Sequence, residues 1–308
     1  MFSWLKSPKA FLRLNLALIP YTLVVIGWGA FVRMSGSGDG CGKAWPLCHG
    51  AIIPEGDAAL LLQTWIEFFH RMKSGLLSLG ILFLLISAFR IFKPGHLARK
   101  AATATALFTL SEALLGAWLV LGGLVDTNES SLRVFVVGLH SINTFVLLGS
   151  LVLSYVWAQD EDPRIEFEWR DSILPSVLAL ASFLFIAILG SLSSLSNTLY
   201  PSASLLSGWH ADFNPDSPSL VRLRWLHPLA ALMIAGFLIY FSIQVRHRLA
   251  RYFPLIIVIG IVIGIAALIS LSPLWLKITH LLWADIIWIY LVVLAAARVT
   301  KPRIKVST

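Results

Sequence analysis

Charge is scarce in this sequence. Asp, Glu, Lys and Arg supply 13% of its 308 residues, against about a quarter in a soluble domain, and the mean hydropathy is +0.81. A chain this apolar cannot hide its surface from water by folding on itself, so lipid is the solvent for most of it. Alternating polarity is also missing, which excludes barrel strands. The long continuous apolar runs require helices instead, because lipid leaves backbone polar groups only internal partners. Cysteine is nearly absent. Cys41 and Cys48 both fall in MSGSGDGCGKAWPLCHG, from Met34 to Gly50, the longest stretch with no hydrophobic face. Two cysteines and the adjoining His49 lack the paired spacing of a structural zinc site. No small-residue cleavage site follows the first apolar run, so it reads as a spanning helix and not as a signal peptide.

Eight runs are long enough to span: Leu14 to Val32, Ile66 to Phe89, Ala101 to Val125, Val134 to Ala158, Ile173 to Leu195, Leu226 to Val245, Phe253 to Leu271 and Leu274 to Ala297. Ser272 and Pro273 separate the last two, and Ser-Pro marks a turn. The expected fold is an all-α integral membrane protein with eight transmembrane helices. Basic residues orient it. Lys6, Lys9 and Arg13 precede the first run; Arg90, Lys93, Arg99 and Lys100 lie between the second and third; Arg246, Arg248 and Arg251 lie between the sixth and seventh; Arg298, Lys301, Arg303 and Lys305 follow the eighth. Both termini are therefore expected in the cytoplasm, together with the acidic linker QDEDPRIEFEWRD. This topology accounts for the net charge of +8, and no nucleic acid partner is expected without a soluble basic face.

The same parity puts the cysteine segment outside, in an oxidising compartment, where a disulfide closing a small loop is the plain reading. A redox-active dithiol and a metal site with His49 stay open beside it. Histidine placement says more. Of eight, His70, His140, His227 and His280 lie in or at the edge of apolar runs, where an unpaired imidazole is costly. One such histidine is ordinarily a hydrogen-bonded core residue; four toward one membrane face, two in each half, point to ligation. The halves also echo each other, since GAFVRMSGS (Gly29 to Ser37) ends the first helix and GSLSSLSNT (Gly190 to Thr198) ends the fifth. The expected architecture is two pseudo-symmetric four-helix bundles, residues 1–158 and 173–308, joined by a cytoplasmic linker at 159–172. Each bundle would offer two inward histidines to the axial positions of a haem.

Other polar groups suit such a cage. Glu67 stands three residues before His70 and shares its helix face, either to orient a ligand and handle protons or as a solvated helix-end acid. Arg222 and Arg224, just outside His227, match haem propionates, as does Arg71 in the first half, with interfacial snorkelling as the alternative. Glu112 and Asp285 are intramembrane carboxylates and so functional candidates, Glu112 requiring a partner that the sequence does not name. His49, His96, His210 and His247 read as solvated loop residues, and Trp45, Trp65, Trp209 and Trp225 as interface anchors.

GAFVRMSGSGDGCGKAWPLCHG followed by WIEFFHR, and more loosely RWLHPLAA and THLLWADIIW, make the chain similar to the haem A synthase family of bacteria and mitochondria. The cysteine loop CGKAWPLC departs from the family pattern in lacking a proline and an acidic residue before its tryptophan. The resemblance implies oxidation of the ring-D methyl group of haem O to a formyl group, by two hydroxylations and loss of water. It implies that His70 and His140 flank the substrate haem with Glu67 beside it, that His227 and His280 ligate a resident haem b through its iron, and that Cys41 and Cys48 form a disulfide. No side chain here oxidises a methyl C–H bond unaided, so the chemistry needs the iron. If both His70 and His140 bind it, no position is open to oxygen, and one of them must release during turnover. The implied setting is a bacterial plasma membrane, with an external electron donor and with haem O synthase and terminal oxidase assembly factors as partners. The competing expectation is a bis-histidine cytochrome b that moves electrons without modifying haem. A secondary transporter fits less well, since the halves share one orientation and no run is broken mid-membrane.

Overall fold

The computed structural model describes residues 7–57, 61–165 and 167–301; Lys6, Arg303 and Lys305 of the charge bias lie outside them. All eight expected spans are helices: α1 Pro8–Met34, α2 Leu62–Ile91, α3 Leu97–Leu121, α4 Ser131–Trp157, α5 Leu174–Leu199, α8 Leu226–Ile243, α9 Phe253–Ile269 and α10 Leu274–Val299. Each, with its flanking turns, is long and apolar enough to cross a membrane. Two short helices, α6 Leu205–Phe213 and α7 Ser219–Leu223, fill the segment between α5 and α8. His210 therefore sits on a helix and not in the expected loop.

Local chemistry sets the ends. Pro8 opens α1, where a missing N–H costs nothing. Ser130 caps α4 by accepting from Arg133 N, and Ser204 with Ser207 forms a reciprocal capping box on α6. The Ser272–Pro273 turn is real: Leu271 and Ser272 take φ of 59° and 57°, and Pro273 caps α10.

Neighbours along the chain pack on one another. α1 packs on α2, α2 on α3, α3 on α4 and α4 back on α1; α5 packs on α8, α8 on α9, α9 on α10 and α10 back on α5. α4 and α10 meet across the middle, where Phe145, Phe183 and Trp288 stack with ring centroids 5.3–5.9 Å apart and Trp288 Nε1 donates to Phe145 O at 2.6 Å. Lipid supplies no hydrophobic drive between helices, so close packing and polar contacts must hold them. Asn15 on α1 bonds Ser154 on α4, Thr105 on α3 donates to Ser150 on α4 at 3.0 Å, and Ser141 on α4 meets Ser191 on α5 at 2.7 Å. The acidic linker is tied to the end of α10, with Arg164 and Ile165 paired antiparallel to Lys301 and Thr300 and Arg298 donating to Asp171 O at 2.7 Å.

Candidate functional site

A cavity of about 1180 Å3 runs between the helices, larger than the roughly 300–1,000 Å3 of an ordinary small-molecule site. His70, His140, His227 and His280 all line it. They arrive from α2, α4, α8 and α10, all toward the end of the helices that carries the cysteine segment.

Three of the imidazoles rest on glycines. A Cβ on Gly29 would lie 2.8 Å from His70 Cε1, one on Gly190 2.8 Å from His227 Cε1, and one on Gly264 2.9 Å from His280 Cε1. Real Cβ atoms do not come so close, so only glycine admits the rings there. Gly29 and Gly190 open the two stretches that echo each other in the sequence, and the echo is a repeated imidazole seat. The His227 and His280 rings lie edge to face, 6.2 Å between centroids and 79° between planes. His227 Nδ1 is bonded to Ile186 O at 3.2 Å, which leaves Nε2 free.

His140 is seated differently. Its Nδ1 lies 3.5 Å from Glu112 Oε1, ion-pair range but longer than a hydrogen bond. The Glu112 carboxylate also accepts from Asn143 Nδ2 at 2.6 Å and from the Thr144 hydroxyl. Glu112 thus has the partner that the sequence left unnamed. His70 Nδ1 is buried with no hydrogen-bond partner among the described residues; His70 and His140 lie within electrostatic range of each other.

Glu67 does not stand in solvent. It is 3% exposed, accepts from Cys41 N at 2.7 Å and from Arg71 at 2.5 Å, and lines the cavity beside His70. Arg71 also donates to Ala44 O at 2.7 Å and Leu47 O at 2.5 Å. Its donors are committed to the loop rather than to a propionate. Cys41 and Cys48 are joined by a disulfide, and His49 Nε2 meets Gly40 O at 2.8 Å.

Arg224 is likewise committed. It is ion-paired with Asp212 and donates to Asn197 Oδ1, Ser202 Oγ and Gly208 O. Arg222 is exposed and lies outside the cavity lining. Asp285 is fully buried and faces the cavity with neither oxygen hydrogen-bonded among the described residues. Two remaining histidines are more engaged than expected. His96 caps α3 by accepting from Ala98 N at 3.1 Å and stacks on Phe92, while His247 Nδ1 accepts from Leu249 N at 3.2 Å.

Known proteins share this sequence pattern. The chain is 35% identical over 286 residues to a protein named protoheme IX farnesyltransferase in Thermus thermophilus, covering 90% of this chain and 46% of that protein. The chain thus spans about half the length of that relative. It is 27% identical over 248 residues to proteins named heme A synthase in Listeria monocytogenes and Listeria innocua, covering 77% of this chain and 75% of theirs. Residues 13–292 match the cytochrome oxidase assembly protein family COX15-CtaA, nearly the whole of the helical body, and the chain belongs to that family.

Proposed function

We propose that the protein is a haem A synthase that oxidises the ring-D methyl group of haem O to a formyl group. The observation that carries this reading is the single cavity on which two histidine pairs open, with a disulfide-closed loop clamped over one of them. Residues 1–158 form the substrate bundle and 173–308 the bundle of a resident haem b, the two related by the repeated glycine seats and joined by the linker at 159–172.

The residues fit haem on three counts. The His227 to His280 separation is of the order spanned by two metal–imidazole bonds of about 2 Å plus the two half-rings. The glycines clear space where any side chain would collide. Nδ1 of His70, of His140 and of His280 is buried without a hydrogen-bond partner among the described residues, as expected of rings positioned for something else. Bound there, the iron would activate oxygen supplied from outside, with electrons from the donor, to oxidise a methyl C–H bond that no side chain can oxidise.

The chain's own residues do the rest. His227 and His280 hold haem b between α8 and α10 as an electron relay. His70 and His140 flank the substrate, and Glu112 beside His140 makes it the firmer of the two, because a carboxylate at the far ring nitrogen fixes the ring and raises its basicity. His70 has no such support and is the one to release. Glu67 acts beside the substrate as orienting group, through its hold on the Cys41 amide and Arg71. The loop between Cys41 and Cys48 keeps water from that end. Both termini lie in the cytoplasm and the loop outside, in the plasma membrane of a bacterium. A farnesyltransferase of the class named for the Thermus relatives supplies the prenylated haem, an external donor supplies electrons, and oxidase assembly factors receive the product.

The test is haem analysis of cells expressing the protein with a haem O supply. Haem A is expected from the wild type and not from His70→Ala or His140→Ala. Unchanged haem A from both variants would reject the substrate assignment, and haem b without any haem A would mark a cytochrome that only transfers electrons.

A further inference from the structure

The arginines that the sequence offered for propionates are neutralised by protein carboxylates, Arg71 by Glu67 and Arg224 by Asp212. Three other cations are not. Arg33, Arg133 and Lys277 line the cavity at its cysteine-loop end and lie within electrostatic range of one another, Arg33 of Arg133 and Lys277 of Arg33. Among the described residues, ion pairs form at Arg71, His140, Arg164 and Arg224 and at none of these three.

Their bonding is incomplete as well. Arg133 is 3% exposed; its Nη1 donates to Asp126 O at 2.6 Å and Asn128 O at 2.7 Å, and its buried Nε has no acceptor. Arg33 reaches across to α5 and donates to the hydroxyls of Ser191 and Ser194 at 3.3 Å, and its Nε is again buried without an acceptor. Asp126 is the carboxylate felt by Arg133, but they make no ion-pair contact. Two of the cations also sit at the wrong helix ends. Arg133 and Lys277 occupy the first turns of α4 and α10, where the positive pole of the helix repels them. One buried and two half-buried cations grouped in this way call for an anion.

Helical register says which anion. Arg33 lies one turn beyond Gly29, the seat of His70, on the same face of α1. Arg133 lies two turns before His140 on α4, and Lys277 one turn before His280 on α10. Each cation therefore stands above a histidine site, displaced toward the same end of the cavity. We infer that Arg33, Arg133 and Lys277 form a collar that binds the carboxylate arms of the porphyrins held below, Arg33 standing between the two sites through its contacts with α5. This rests on the haem reading and deepens it. In haem O the methyl group to be oxidised shares its pyrrole ring with one carboxylate arm, so a clamp on that arm selects which methyl is presented.

The experiment titrates the full-length protein, prepared free of haem in detergent, with ferric protoporphyrin IX and separately with its dimethyl ester, following the absorbance of the six-coordinate haem. For the wild type, esterification is expected to weaken binding about tenfold to a hundredfold, the size of lost charge-assisted hydrogen bonds. In Arg133→Gln and Arg33→Gln, binding of the free acid falls by a similar factor and the penalty for esterification shrinks to about twofold, since the group that reads the carboxylate is gone. Lys277→Gln, on a partly exposed residue, gives a smaller shrinkage and serves if either arginine variant fails to fold. An esterification penalty that is undiminished in every folded variant would overturn the collar while leaving the haem sites intact. Failure of the wild type to form a six-coordinate haem at all would overturn the haem reading and the collar with it.

Discussion

The two halves of the molecule solve one mechanical problem with opposite charges. Three residues before its first histidine, the N-terminal half has Glu67 and the C-terminal half has Arg224. Each is buried, each takes a partner of the other sign, Arg71 or Asp212, and each grips backbone of the preceding connection, the Cys41 amide of the cysteine loop or the Gly208 carbonyl on α6. What the two positions share is a charged anchor that ties the preceding connection to the chain just ahead of or beside the histidine. The second histidines differ in a more consequential way. His280 is seated by shape, against Gly264, whereas His140 is seated by charge, beside Glu112. On the proposed assignment, the charge beside His140 tunes the ligand itself, which suits a haem on which chemistry is done.

The sharpest break between the halves comes from removing one ligand in each. His280→Ala is expected to strip the purified protein of its resident haem b, and His140→Ala to leave haem b in place while haem A falls below detection. Extracted pigment, counted per chain and separated by haem type, reads both outcomes. Equal loss of both haems from either variant would mean that the halves are not separate sites.

The anchors come next. Glu67→Gln leaves Arg71, and Asp212→Asn leaves Arg224, as a buried cation without its carboxylate, a loss of about 3–5 kcal/mol for an ion pair broken from one side. Thermal denaturation in detergent should show a comparable fall for both. If only Glu67→Gln is destabilising, the parallel between the two anchors is superficial.

The glycine seats give a smaller effect with a built-in control. Gly264→Ala places a methyl 2.9 Å from His280 Cε1, and overpacking of this kind costs about 1–3 kcal/mol, or roughly fivefold to a hundredfold in haem b affinity. Gly236→Ala on α8, exposed outside the cavity lining and with nothing within 4 Å of an added Cβ, should leave haem binding unchanged. Similar affinities for the two variants would remove the seat from the argument.

Much of this organisation is legible in the sequence, and the division between what is and what is not has a physical basis. Hydropathy locates all eight spans, even the Ser272–Pro273 break, because crossing lipid demands length and apolarity from each segment separately. The four histidines stand out because an imidazole in such a segment is costly. What one helix presents to another does not register in composition. Glu112 required the rotation of α3 against α4 before Asn143, Thr144 and His140 could be seen around it. Arg71 looks like an anion binder until its ring of partners is seen, Glu67 one turn back on α2 together with the loop carbonyls, and Arg224 until the fold brings Asp212 to it. Arg33 sits in the GAFVRMSGS stretch and Lys277 three residues before His280, yet neither is distinctive in sequence, since one cation near a span end is ordinary snorkelling. The helices α6 and α7 are too short to impose a periodicity.

The finest distinction between the halves is Glu112 itself. If it positions His140 and raises its basicity, Glu112→Gln keeps the hydrogen bonds with Asn143 and Thr144 within reach but removes the negative charge from behind the imidazole. An electron-richer axial ligand favours the ferric state, so the reduction potential of the N-terminal haem should rise in the variant while that of haem b stays fixed. Haem A output should fall about tenfold, the lower end of what is lost when a partner of a metal-bound histidine is changed. Glu112→Asp should recover part of the potential shift if the charge is what counts. A role confined to packing α3 against α4 predicts something else, a drop in thermal stability with the potential unmoved, and redox titration of the two haems in one sample separates these outcomes. An unmoved potential would return His70 and His140 to equal standing and leave open which of them releases.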